Sequence, residues 1–91
     1  MTDVEAQMQK MRERFRERAA SDRAAVAAAL EVGDYPRLLH LAHGLAGVAG
    51  IFGYSDISSH ASALEDAVDG GAGGEKISLL AQALMEALDR A

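Results

Sequence analysis

The segment with the clearest capacity for chemistry is LAHGLAGVAGIFGY, residues 41–54, which carries one histidine and four glycines. Imidazole is mostly neutral at pH 7 and then keeps a free nitrogen lone pair, so His43 is a competent nucleophile. Each glycine inside a helix costs up to about 1 kcal/mol relative to alanine. The glycines beside His43 therefore need a reason, and we interpret Gly47 and Gly50 as bare backbone that lets a partner surface approach the imidazole.

A helical projection places His43 opposite the apolar side of its helix. The predicted core residues of this helix fall within about 60° of the opposite pole: Leu38, Leu41, Leu45, Val48, Ala49 and Phe52. A second set surrounds or flanks the histidine and forms the predicted partner-binding surface: Leu39, His40, Ala46, Gly47, Gly50 and Tyr54.

The face around His43 lacks the groups that would complete an active site. No Asp, Glu, Ser or Lys falls on it within one helical turn, so we expect a partner to supply the other catalytic groups. Glu65 and Asp66 are adjacent carboxylates, but adjacent helix positions point about 100° apart. We interpret this pair as a solvated, acidic end of a helix.

The first part of the chain predicts a long amphipathic segment. Apolar residues recur three and four positions apart over residues 2–20, namely Val4, Met8, Met11 and Phe15. Ser21–Asp22 could cap a second helix or be passed without a break, and the apolar face continues as far as residue 32.

Turn residues then divide the chain into further helices. Gly33 suits a helix end, Asp34 can cap a helix over residues 35–52, and Pro36 fits its first turn. Gly53 is the predicted stop of that helix and Ser55 the N-cap of the next. DGGAGG, residues 69–74, is the predicted loop before a last helix that ends near residue 90. The last two helices have apolar faces formed by Ile57, Ala61, Leu64 and Val68, and by Ile77, Leu80, Leu84 and Leu88.

These elements predict an all-α protein. No period-two alternation indicates a strand, and four or five helices with short connections favour an antiparallel four-helix bundle with an N-terminal helical extension. A chain of 91 residues is expected to form a single domain.

Composition and charge exclude several other classes. The chain has no cysteine, which excludes disulfides and thiolate metal sites. It carries no apolar signal or membrane-spanning segment, so we expect a cytoplasmic protein. The net charge is −5. Residues 10–23 hold six basic residues against three acidic ones, but the signs alternate without interleaved aromatics, so we predict a solvated face and no nucleic-acid binding.

The segment HGLAGVAGIFG, residues 43–53, resembles the signature of histidine-containing phosphotransfer (HPt) domains, whose usual form is His-x-Leu-Lys-Gly followed by a later Gly. The flanking sequence is similar to the family pattern from about residue 15 to residue 68. The resemblance implies a four-helix bundle with a phospho-accepting histidine midway along an exposed helix. It makes His43 the phospho-acceptor, Leu45 a core residue beneath it, Gly47 the small residue one turn on and Gly53 the glycine that ends the helix. Ala46 stands where the family usually has lysine.

The function that the resemblance implies is that of a phosphorelay intermediate. His43 would accept a phosphoryl group from the aspartate of a receiver domain and return it to another receiver, and Mg²⁺ would be needed on the receiver only. No cofactor is expected on this chain. DGGAGG lacks the Lys-Ser/Thr that follows a phosphate-binding loop, so we expect a carrier without autokinase activity. We also expect a monomer.

Two other interpretations remain open. The chain could be an interaction module that binds a receiver or a histidine kinase without being phosphorylated. The missing lysine favours that alternative, whereas the presence of His43 argues against it. A metal site formed by His40, His43 and His60 is conceivable, because histidines three positions apart can share a helix face. However, no carboxylate or cysteine joins them with ligand spacing.

Overall fold

The computed structural model describes residues 3–91, which form four helices joined by short turns. The helices are α1 (Asp3–Glu31), α2 (Tyr35–Ile51), α3 (Ser55–Asp69) and α4 (Gly74–Asp89). Each helix packs against two others, in the cyclic order α1, α2, α3, α4. The predicted antiparallel four-helix bundle is confirmed, and the described residues contain no strand.

The first helix runs through Ser21 and Asp22 without a break. At about 1.5 Å per residue, its 29 residues span nearly the whole 47 Å length of the molecule. Its buried residues begin only at Phe15, although Met11 and Arg14 already line a groove beside α2. Of the predicted apolar stripe, Phe15 alone is buried, Met8 is half-buried, and Val4 and Met11 are exposed.

Local sequence explains where the helices change direction. Gly33, Gly53 and Gly71 have positive φ angles of 67°, 84° and 74°, a conformation that glycine adopts without the steric cost of a Cβ atom. Asp34 caps α2 by accepting a hydrogen bond from the backbone N–H of Arg37 at 3.2 Å. The predicted cap of α3 is wrong by one residue: Tyr54 occupies the N-cap position and Ser55 begins the helix.

The core is built from aliphatic side chains and many alanines. The largest fully buried side chains are Val26, Leu38, Ile57, Leu64, Ile77 and Leu84. Val68 and Leu80, which the sequence predicts on the apolar faces of α3 and α4, are only half-buried against this core.

The apolar face of α2 is rotated from its predicted position. Leu38, Leu45 and Ala49 are buried as expected, and Ala42 joins them. Val48 was predicted to be in the core, but it is 44% exposed. Leu41 and Phe52 are only half-buried. The reason is that α2 packs closely on α3, while an open groove separates its other flank from α1.

Candidate functional site

His43 lies in the middle of α2, and its side chain is 76% exposed. The Asp34 cap and Pro36 in the first turn fix the start of this helix. The buried residues Leu38, Ala42, Leu45 and Ala49 fix its rotation. Together they hold the imidazole on the outer face of the bundle, as the sequence predicts.

A carboxylate from another helix binds the imidazole. Nδ1 of His43 lies 2.5 Å from Oε2 of Glu65 on α3, and the Glu65 side chain is only 28% exposed. Two expectations from the sequence are therefore wrong. This chain does supply an orienting carboxylate, and Glu65 is not simply part of a solvated helix end. The neighbouring Asp66 is exposed, as expected.

This contact defines the chemistry that the imidazole can perform. An ionised carboxylate only accepts hydrogen bonds, so Nδ1 of His43 carries the hydrogen, and this N–H donates the hydrogen bond to Oε2 of Glu65. The neutral ring then has its lone pair on Nε2, the nitrogen that Glu65 does not contact. Glu65 thus fixes both the tautomer and the ring orientation, as a carboxylate does for a catalytic histidine in other nucleophilic sites.

The α2–α3 contact next to this pair depends on a small residue. Oγ of Ser58 donates a hydrogen bond to the carbonyl oxygen of Ala46 at 2.9 Å. A Cβ atom added to Gly50 would lie 3.2 Å from the same Ser58 oxygen. Gly50 is therefore small because α3 packs beside it, which is a reason internal to the fold. A Cβ added to Gly47 would meet nothing within 4 Å, so packing does not explain Gly47.

The predicted partner-binding residues have different surroundings. His40, Gly47 and Gly50 are exposed, while Leu39 and Ala46 are half-buried. Tyr54 lies beyond the end of α2, where its ring stacks on Phe15 with centroids 4.8 Å apart. The structure thus gives Tyr54 a packing role, and its contact with a partner stays a prediction.

The two glycines give a stability test of this assignment. We expect Gly47→Ala to raise the free energy of unfolding by about 0.5–1 kcal/mol, because alanine favours helix and the site is open. Gly50→Ala should give no such gain, because its Cβ pushes against Ser58 and its hydrogen bond to Ala46. Thermal or urea unfolding of both variants measures the difference. Equal stabilisation by both would show that Ser58 does not constrain position 50.

A groove of about 570 Å³ runs between α1 and α2 on the other flank of α2. Its apolar wall includes Phe15, Leu41, Leu45, Val48 and Phe52. His40 and Gly44 also line it, so the groove opens beside the helix face that carries His43. The exposed Ile51 extends its apolar wall.

The remaining sequence candidates are not gathered at the site. His60 is half-buried on α3. In the described part of the chain, no three His, Cys, Asp or Glu side chains are grouped so that they could hold a metal ion. Within residues 3–91, no helix has both the length and the apolar character needed to cross a membrane.

The structure is a four-helix bundle with an exposed histidine on α2, and comparison with known families identifies the class to which it belongs. The family model described as "Hpt domain" matches residues 10–91. The chain therefore belongs to the Hpt domain family, whose members are phosphotransfer modules of two-component systems and interact with receiver domains. Neither the curated proteins nor the solved structures include a match to this chain.

Proposed function

We propose that this protein carries phosphoryl groups between receiver domains, with His43 as its only phospho-acceptor. The observation that carries the proposal is the contact of Glu65 with Nδ1, which leaves Nε2 as the nucleophilic nitrogen on an exposed helix face. Membership of the Hpt domain family supports the same role.

The transfer step uses the Nε2 lone pair. It attacks the phosphorus of an aspartyl phosphate on the receiver, so an N–P bond forms while the P–O bond to the aspartate breaks. The bonding electrons leave with the carboxylate of that aspartate. The receiver supplies the Mg²⁺ that this reaction needs. The reverse step passes the phosphoryl group to the aspartate of a second receiver.

Glu65 stabilises the product of this step more than the starting imidazole. Once Nε2 carries the phosphoryl group, the ring still holds its proton on Nδ1 and becomes positively charged. The Glu65 carboxylate beside that proton balances the charge. An interaction that strengthens as charge develops lowers the barrier to transfer.

In this proposal the protein has no autokinase activity, and every phosphoryl group comes from a partner. Hpt domains are phosphocarriers and not kinases, and DGGAGG lacks the residues of a phosphate-binding loop. A cytoplasmic location and a monomeric state remain predictions.

The test is transfer from a phosphorylated receiver. Receiver domains from the same organism are phosphorylated with acetyl phosphate. The excess acetyl phosphate is removed, and the phosphorylated receivers are mixed with the protein and Mg²⁺. Acid-labile, base-stable phosphate that moves to this chain supports the proposal. Binding of a receiver without any transfer would instead favour the alternative, an interaction module that is not phosphorylated.

Ala46 offers a further test of the charge around the site. We expect Ala46→Lys to raise the transfer rate a few-fold at low salt, because an exposed ion pair contributes about 0.2–1 kcal/mol. Ala46 is half-buried one turn from His43, and a lysine there can extend its ammonium group to the surface. The gain should fade as salt screens the charge. A slower reaction at low salt would mean that the lysine draws Glu65 away from His43.

A further inference from the structure

The groove between α1 and α2 carries positive charge at a place that the phosphotransfer step does not use. Arg14 and Arg18 line it, one helical turn apart on the same face of α1. Asp22 lies further along the same groove. Partial burial raises the pKa of Asp22, and the positive charge of Arg18 counteracts that rise. Arg18 is therefore partly balanced within the chain, and Asp22 is the one acidic residue among those that line the groove.

The remainder of the surface has the opposite charge. Residues 24–91 hold nine acidic residues and only three basic ones. Residues 10–23 of α1, in contrast, hold six basic residues against three acidic ones. An acidic partner that approaches His43 is therefore repelled by most of the bundle and attracted by this segment. The groove joins these arginines to the exposed face of α2, because it is also lined by His40 and by Gly44, the residue after His43.

We infer that Arg14 and Arg18 bind the acidic phospho-acceptor face of the receiver domain and orient it over His43. The inference rests on the proposed function, since it names the contact that the partner of that reaction makes. The apolar wall of the groove receives the apolar part of the same partner, and the arginines form ion pairs with the carboxylates around its aspartate.

The role of the two arginines is binding and positioning, because they approach α2 from the flank opposite α3, where Glu65 holds the imidazole. Charge at the edge of an interface mainly accelerates association and fixes orientation. Their removal should therefore change the dependence of transfer on receiver concentration and leave the transfer rate at saturation almost unchanged.

The experiment compares two double variants that lose the same charge. Arg14→Gln/Arg18→Gln removes the groove arginines. Arg12→Gln/Arg16→Gln removes two exposed arginines that are also one turn apart but do not line the groove. Each variant is mixed with the receiver that binds the wild-type protein most tightly, and both binding and transfer are measured at about 50 mM and about 500 mM salt.

We expect the groove variant to bind the receiver about five- to tenfold more weakly at low salt, and the control variant to change less than twofold. The second-order transfer rate should fall by the same factor, and high salt should remove most of the difference. Equal effects in the two variants would overturn the inference, because they would reflect net charge alone. A lower saturating rate with unchanged binding would also overturn it.

Two further outcomes separate this inference from its alternatives. If the wild-type protein accepts no phosphate but the groove variant still loses receiver binding, the proposed function fails and the docking site stands. Sedimentation of the protein alone tests whether a second copy of this chain occupies the groove. A wild-type dimer that the groove variant dissociates would contradict docking of a receiver there.

Discussion

We expect the His43→Gln variant to take up no phosphate from a phosphorylated receiver, a loss of at least about a thousandfold in rate. An amide nitrogen has no available lone pair, so glutamine cannot replace the nucleophile. His43 is mostly exposed, and the fold should survive the change. Acid-labile, base-stable phosphate on the chain is the quantity to measure, with thermal unfolding as the check on folding.

His40→Gln is the matched control for this result. His40 is also exposed on α2, one turn before His43, but no carboxylate contact is found for it among the described residues. The His40 variant should accept phosphate, with at most a modest change in rate. Phosphate on the His43 variant, at either remaining histidine, would show that the acceptor has been wrongly assigned.

The second large effect is expected from Glu65→Gln, which should slow transfer about ten- to a hundredfold. Glutamine preserves the size of the side chain but removes the charge that balances the phosphorylated ring. Its amide can also donate to Nδ1, which would favour the tautomer whose lone pair is on the wrong nitrogen. Single-turnover transfer at saturating receiver isolates this step from binding.

Asp66→Asn provides the control, because it removes the adjacent carboxylate from an exposed position. Its transfer rate should stay within about twofold of the wild type. Receiver affinity should be nearly the same in both variants, since Glu65 acts on the imidazole and not on the partner. A Glu65 variant that transfers at the normal rate would remove the carboxylate from the mechanism.

The turns of the fold could be predicted because single residues specify them. Gly33 and Gly53 take positive φ angles at the predicted helix ends, and Asp34 caps α2 through its side chain as expected. These are local effects, in which the residue and its backbone conformation are directly related. The possible start of a second helix at Ser21–Asp22 had no such determinant, because serine and aspartate are also tolerated inside a helix. The structure shows that α1 is continuous through both residues.

The rotation of α2 could not be obtained from its own sequence. Apolar side chains cover a wide arc of the helix, and the neighbours decide which part of that arc is buried. Close packing on α3 buries Ala42 and turns Val48 toward the groove beside α1. Periodicity shows that an apolar face exists, but the direction it faces depends on the relative distances of the adjacent helices.

Glu65 was missed for a related reason, because its partner lies on a different helix. A signal for the contact was nevertheless present in the helix spacing. Two turns of α2 separate His43 from Gly50, and two turns of α3 separate Ser58 from Glu65. In an antiparallel helix pair, the contact of Gly50 with Ser58 therefore places His43 level with Glu65. Small residues facing each other across the pair could have revealed this register.

The most direct test of the central claim is the position of the phosphoryl group on the histidine ring. The protein is labelled with ¹⁵N in its histidine side chains, phosphorylated by a receiver, and examined by NMR at neutral pH. We predict that Nε2 of His43 carries the phosphorus and that Nδ1 keeps its proton, with the Nδ1 signal altered by Glu65→Gln. Phosphorus on Nδ1 of His43, or on another residue, would contradict the account.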